Sequence, residues 1–181
     1  MKNLLLLGDS IRMSYSPAVK EKLKGRANVY GPNDNGRWSG YTLNSLRFWM
    51  PHLSDPDIVH WNNGLWDMGD NYNLGRPFSL PEEYVSALER TIKVLRNMFG
   101  EGLTIIMATT TPTIKTDLQA PHEYNNLLKD VAARHNIPVN DLFSTIAENT
   151  KDFLMPDGIH LTDKGITAAA DKVCSAVEHY L

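Results

Sequence analysis

Leu4-Leu5-Leu6-Leu7-Gly8-Asp9-Ser10 opens the chain. Four apolar residues in a row, stopped by turn formers, read as a short strand buried on both faces. The pattern recurs. Asn28 to Tyr30, Asp57 to Trp61, Leu103 to Ala108 and Ile137 to Leu142 read as further strands, with helical patterns between them. Ser16-Pro17 is expected to open the first helix, with Ser16 as N-cap and Val19 and Leu23 facing inward. Thr42 to Met50, with Leu43, Leu46 and Phe48, predicts a second. Ser79-Leu80-Pro81-Glu82 reads as a capping box ahead of a third, whose apolar face is Tyr84, Leu88, Ile92, Leu95 and Phe99. Pro121 to His135 predicts a fourth, and Thr162 caps a last one running through Val173 and Val177 to Leu181. Strands alternating with helices imply an α/β protein with a parallel sheet covered on both faces.

The 181 residues suit one domain spanning 1–181. Hydrophobic content of 42%, charged content of 22% and a net charge of −3 describe an ordinary globular chain. Lys and Arg are spread along it, so nucleic acid is not an expected partner, and no stretch approaches the length of a membrane span, so neither is a membrane. The single cysteine, Cys174, excludes an internal disulfide and a thiolate metal cluster, and its helical setting predicts a small buried core residue. Four leucines are too short for the apolar centre of a secretion signal, about 7–15 residues long. The expected compartment is therefore the cytoplasm, or a secreted or periplasmic one if a leader has been removed.

Polar residues gather where strands end: Gly8-Asp9-Ser10, Asn62-Asn63-Gly64 and Thr109-Thr110-Thr111. In open α/β sheets the carboxyl ends of the strands are where ligands bind. Ser10, just past a buried strand, is placed to act as a nucleophile if a base reaches it; otherwise the turn is only a helix cap. Two histidines have an aspartate three residues before them. Asp57 and His60 share a strand, where an odd spacing puts them on opposite faces. Asp157-Gly158-Ile159-His160 follows Pro156 and contains glycine, so it reads as a turn that folds the carboxylate back onto the imidazole. Asp157 would then hold Nδ1–H and leave Nε2 free for the serine proton. Asp9 is expected to cap a helix, Asp67 to bond loop backbone, and Asp141 to be structural. No paired histidines at helical spacing, acidic calcium loop, Walker loop or dinucleotide fingerprint is present, so neither metal nor cofactor is expected.

Gly8-Asp9-Ser10 after the first strand and Asp157-x-x-His160 before the last helix resemble the first and last blocks of the GDSL, or SGNH, hydrolases, with Ile11 in place of the usual leucine. The resemblance implies a three-layer α/β sandwich with a flavodoxin-like parallel sheet, a Ser10–His160–Asp157 triad, and an oxyanion hole completed beside the Ser10 amide. Gly40, in Ser39-Gly40-Tyr41-Thr42, best matches the second-block glycine, with Gly36 as rival. The third block departs: Gly64-Leu65-Trp66-Asp67 has Trp66 where the family has asparagine, which leaves Asn62, then Asn63, then the Trp66 indole as candidate donors. Trp38 and Trp66 are candidate substrate contacts. The implied activity is hydrolysis of a small or carbohydrate O-acyl ester. Two alternatives are a non-catalytic carbohydrate-binding protein on this fold and an acyltransferase using the same residues.

Overall fold

The computed structural model describes residues 1–73, 75–114 and 119–181. Five strands, β1 (Lys2–Gly8), β2 (Ala27–Tyr30), β3 (Ile58–Asn62), β4 (Thr104–Ala108) and β5 (Val139–Asn140), form one sheet in the order β2-β1-β3-β4-β5. All pairings are parallel. This is the doubly wound order in which the chain reverses direction between β1 and β3, and the crevice at their carboxyl ends is the switch point.

Burial follows from the leucine run. Leu4 and Leu6 pack on one face with α1 (Ser10–Lys22) and α8 (Asp163–Glu178). Leu5 and Leu7 point the other way, into a core closed by α2 (Ser39–Trp49), α4 (Pro81–Phe99) and α5 (Gln119–Arg134). Each of the four is fully buried, as a strand sandwiched between helix layers requires. In α4, Tyr84, Leu88, Ile92 and Leu95 form the buried stripe. Among the described residues no helix is long and apolar enough to cross a membrane.

Local chemistry shifts several boundaries. The first helix begins at Ser10, six positions ahead of the expected Ser16 cap, because the Asp9 carboxylate accepts from the Ile11 amide and starts the helix there. Pro17 therefore lies inside α1. The carbonyl it leaves without its usual helical partner is that of Met13, an exposed residue. Leu46 is buried as expected, whereas Phe48 is 56% exposed and the rest of the buried face of α2 is Ser39, Thr42 and Ser45. Before α4 the cap moves by one residue: the Glu83 carboxylate accepts from Leu80 N–H, and the Ser79 hydroxyl is committed to Asp67. The last strand shrinks to two residues. Asp141 accepts from the Ser144 amide and turns the chain into α6 (Leu142–Ala147), followed by the short α7 (Thr150–Phe153). Cys174 is half-buried at the edge of the α8 core.

Candidate active site

Ser10 is placed by backbone geometry at the end of β1. Gly8 takes φ 147°, and a Cβ there would run into the backbone oxygen of Asn62 on the neighbouring strand. Only glycine lets the two strand ends approach so closely. Ser10 is then the first residue of α1, so its N–H has no partner within the helix and sits at the positive end of the helix dipole.

The segment before α8 supplies the other two groups. Leu154 and Leu161 bridge as antiparallel partners, and Met155 N–H donates to the His160 carbonyl (2.7 Å). The tight turn between them needs the left-handed φ of 72° that Gly158 provides. Within it, Asp157 Oδ1 accepts from the amides of Ile159 (2.9 Å) and His160 (3.0 Å). Its other oxygen meets His160 Nδ1 at 2.6 Å, and His160 Nε2 lies 3.2 Å from Ser10 Oγ. The imidazole hydrogen bond, helped by the two amides, holds the Asp157 carboxyl well below the usual carboxylate range. An ionised Asp157 accepts the Nδ1 proton, so Nε2 carries the lone pair facing the serine hydroxyl.

The other candidate pair stays apart. Asp57 accepts from the Asn3 amide at the sheet edge, whereas His60 is fully buried. The Asn140 side-chain amide donates to His60 Nε2 (2.9 Å), and burial pushes the imidazole down to about 3, so it is neutral. Asp67, also buried, accepts from the amide and hydroxyl of Ser39 and the hydroxyl of Ser79, joining the start of α2 to the loop before α4. Burial raises its pKa, and those hydrogen bonds oppose the rise.

Asp9, beside the serine, is fully buried. Burial pushes its carboxyl up to about 6, Asp67 adds to the rise, and the Ile11 amide and Arg12 guanidinium oppose it. Because the folded value lies above the ordinary 3.8, the folded state gains a proton the unfolded chain lacks between about pH 4 and 6. That contribution is complete below the lower value and is lost as pH rises through the upper one. Asp9→Asn keeps an oxygen for the Ile11 amide and removes the buried charge. It is expected to stabilise the protein by up to about 3 kcal/mol at pH 8, with no gain near pH 4. His60 has the opposite pH dependence, so the informative quantity is the difference in urea midpoints between variant and parent at each pH. A pH-independent difference would contradict the assignment.

Ser10 and His160 open into a cleft of about 610 Å³, lined also by Asn35, Leu65, Trp66, Met68, Thr113 and Ile159, with Gly69, Asp70, Asn71 and Asn73 along one wall. Trp66 thus shares the cleft with the serine. The other sequence candidates lie elsewhere. Gly40 borders a groove between α2 and α4. Trp38 packs on Tyr41 and Phe78 with ring centroids 5.4 and 4.9 Å away. Asn62 is buried, its carbonyl oxygen accepting from the Tyr15 hydroxyl (2.8 Å). Asn63 uses both ends of its amide, accepting from Trp61 Nε1 (2.5 Å) and donating to the Arg37 carbonyl (2.7 Å). Gly36 N–H is occupied by the Gly8 carbonyl (2.9 Å). Asn35 was not singled out by its sequence, because it lies in a run of turn formers with no distinguishing spacing. Among the described residues no group of three or more His, Cys, Asp or Glu is placed to hold a metal ion.

Similar solved structures share the whole fold. An acetyl xylan esterase superposes with a TM-score of 0.81 at 20% identity, covering 97% of this chain and 99% of its own. A lipase/acylhydrolase from Enterococcus faecalis gives 0.79 at 20% identity, with 100% and 97% covered. An acetyl-xylooligosaccharide esterase from Geobacillus, crystallised as a mutant, gives 0.77 at 18% identity, with 96% and 93% covered. No curated protein sequence matches the chain. The family model of the GDSL-like lipases and acylhydrolases matches residues 6–168, and the chain belongs to that family.

Proposed function

We propose that this esterase removes a short O-acyl group, such as acetyl, from a carbohydrate, using Ser10 as nucleophile, His160 as base and Asp157 as its orienting acid. The observation that carries the reading is the continuous link from Asp157 Oδ2 through the imidazole to Ser10 Oγ, at 2.6 and 3.2 Å. In the first half-reaction Ser10 Oγ bonds to the ester carbonyl carbon while its proton passes to Nε2. Negative charge gathers on the carbonyl oxygen, and the Ser10 amide, at the start of α1, donates to it. The tetrahedral species then expels the sugar oxygen, which takes the proton from Nε2. In the second half-reaction Nε2 accepts a proton from water, the hydroxide adds to the acyl carbon, and Ser10 leaves with the proton.

The cleft walls support a neutral, hydroxyl-rich alcohol. Asn35, Asp70, Asn71 and Asn73 present hydrogen-bonding groups, Trp66 and Leu65 an apolar surface, and among the described residues no Lys or Arg lines it. Acetylated xylo-oligosaccharides, the substrate class named for one structural neighbour, are therefore the first esters to assay. A fluorophosphonate probe should attach to Ser10, read as an added mass on its peptide. Folded protein that resists labelling, and leaves acetylated oligosaccharides intact, would overturn the proposal.

A further inference from the structure

The Ser10 amide is one donor to a developing oxyanion, and a transition state of this charge calls for more. Asn62 and Asn63 are unsuited: the first is buried against Tyr15, and the second has both amide ends occupied. Three other side chains line the cleft with N–H groups free of partners among the described residues: Asn35, Trp66 and Asn73. Asn73 is tied to its loop by a long backbone bond to Asp70 (3.4 Å), whereas the other two are held more closely.

The first is Asn35. Its side-chain oxygen accepts from Arg37 N–H at 2.8 Å, which fixes the orientation of the amide and leaves the NH₂ end unused. The turn around it is anchored on both sides to the turn that carries Ser10. Ahead of Asn35, the buried Arg12 guanidinium donates to the carbonyls of Pro32 (3.0 Å) and Asp34 (2.6 Å), and more weakly to that of Gly8 (3.4 Å). Behind it, Gly36 N–H donates to the same Gly8 carbonyl at 2.9 Å. Asn35 is thereby held in register with the nucleophile, in the cleft that Ser10 and His160 share. The second is Trp66, whose backbone carbonyl is held by the Asn71 side chain at 3.1 Å.

We propose that Asn35 Nδ2–H and Trp66 Nε1–H, together with the Ser10 amide, form the oxyanion hole of this enzyme. The assignment rests on the ester-hydrolysis reading above. It makes both residues catalytic, and it makes Arg12 a positioning residue that keeps the Asn35 turn against β1.

Asn35→Asp is the discriminating variant. A carboxylate still accepts from Arg37 N–H, so the turn survives, but the donor becomes a negative oxygen facing the developing charge. With an acetyl ester, kcat is expected to fall about 10²–10³-fold while KM changes little. Affinity for a boronic acid that mimics the tetrahedral state should fall in parallel. Asn35→Ser also offers an acceptor to the turn and is expected to lose a similar factor, so one folded variant suffices. Trp66→Phe keeps the ring without the N–H and should lower kcat by at least tenfold at similar KM. A folded Asn35 variant with kcat within threefold of the parent would overturn the assignment, as would an unaffected Trp66→Phe. If the parent is active and Ser10→Ala is not, such a result strikes only the oxyanion assignment. A parent that cleaves no ester overturns both proposals.

Discussion

Ser10→Ala is expected to lower kcat for an acetyl ester by roughly 10⁴–10⁶-fold while leaving the thermal midpoint nearly unchanged. The two effects separate because the proposed mechanism gives the hydroxyl a chemical role, and the fold gives it little structural one. Its oxygen faces His160 Nε2 at 3.2 Å, and the helix is capped by Asp9 rather than by Ser10. Alanine at the first helical position costs little. Residual turnover would come from substrate held against the remaining oxyanion donors with water as nucleophile. If Ser10 and His160 act as one unit, as proposed, adding His160→Ala to Ser10→Ala should lower kcat little further. Steady-state assay of the two single variants and the double variant checks this. Retention of more than about 1% of parental kcat in folded Ser10→Ala would place the nucleophile elsewhere.

Asp157→Asn is the second large effect, expected at about 10⁴-fold in kcat. Asparagine can still accept the amides of Ile159 and His160 with its oxygen, so the turn should persist. The NH₂ end then faces Nδ1, where the native carboxylate oxygen stands 2.6 Å away. An N–H there favours the tautomer with its proton on Nε2, which points a donor at Ser10 and removes the base. Because the native carboxyl titrates well below the usual range, acid assays of the parent should not reproduce the variant. A tenfold loss or less, with fold intact, would show that Asp157 shapes the turn without setting the tautomer.

The sequence was most legible where a property depends on neighbours in the chain. The leucine run of β1 and the apolar stripe of α4 each state their own burial through spacing. Legibility failed where a side chain chose a distant partner. The Ser79 hydroxyl serves Asp67 instead of the helix cap, and the expected fifth strand yields to the Asp141 cap of α6. Start signals for α1 competed, and the Asp9 carboxylate capped the helix ahead of Ser16.

The sequence by itself determined the layered parallel sheet, and it singled out Ser10, Asp157 and His160 as candidates. Periodicity decides which faces are buried, and a short turn brings an aspartate onto a histidine whatever surrounds it. Only the tertiary structure decided that His160 faces Ser10 across 150 residues and that Asn35, rather than Asn62 or Asn63, reaches the cleft. Those outcomes depend on where loops dock. Here a buried guanidinium gathers the carbonyls of Pro32 and Asp34 against the end of β1, an interaction that no local pattern encodes.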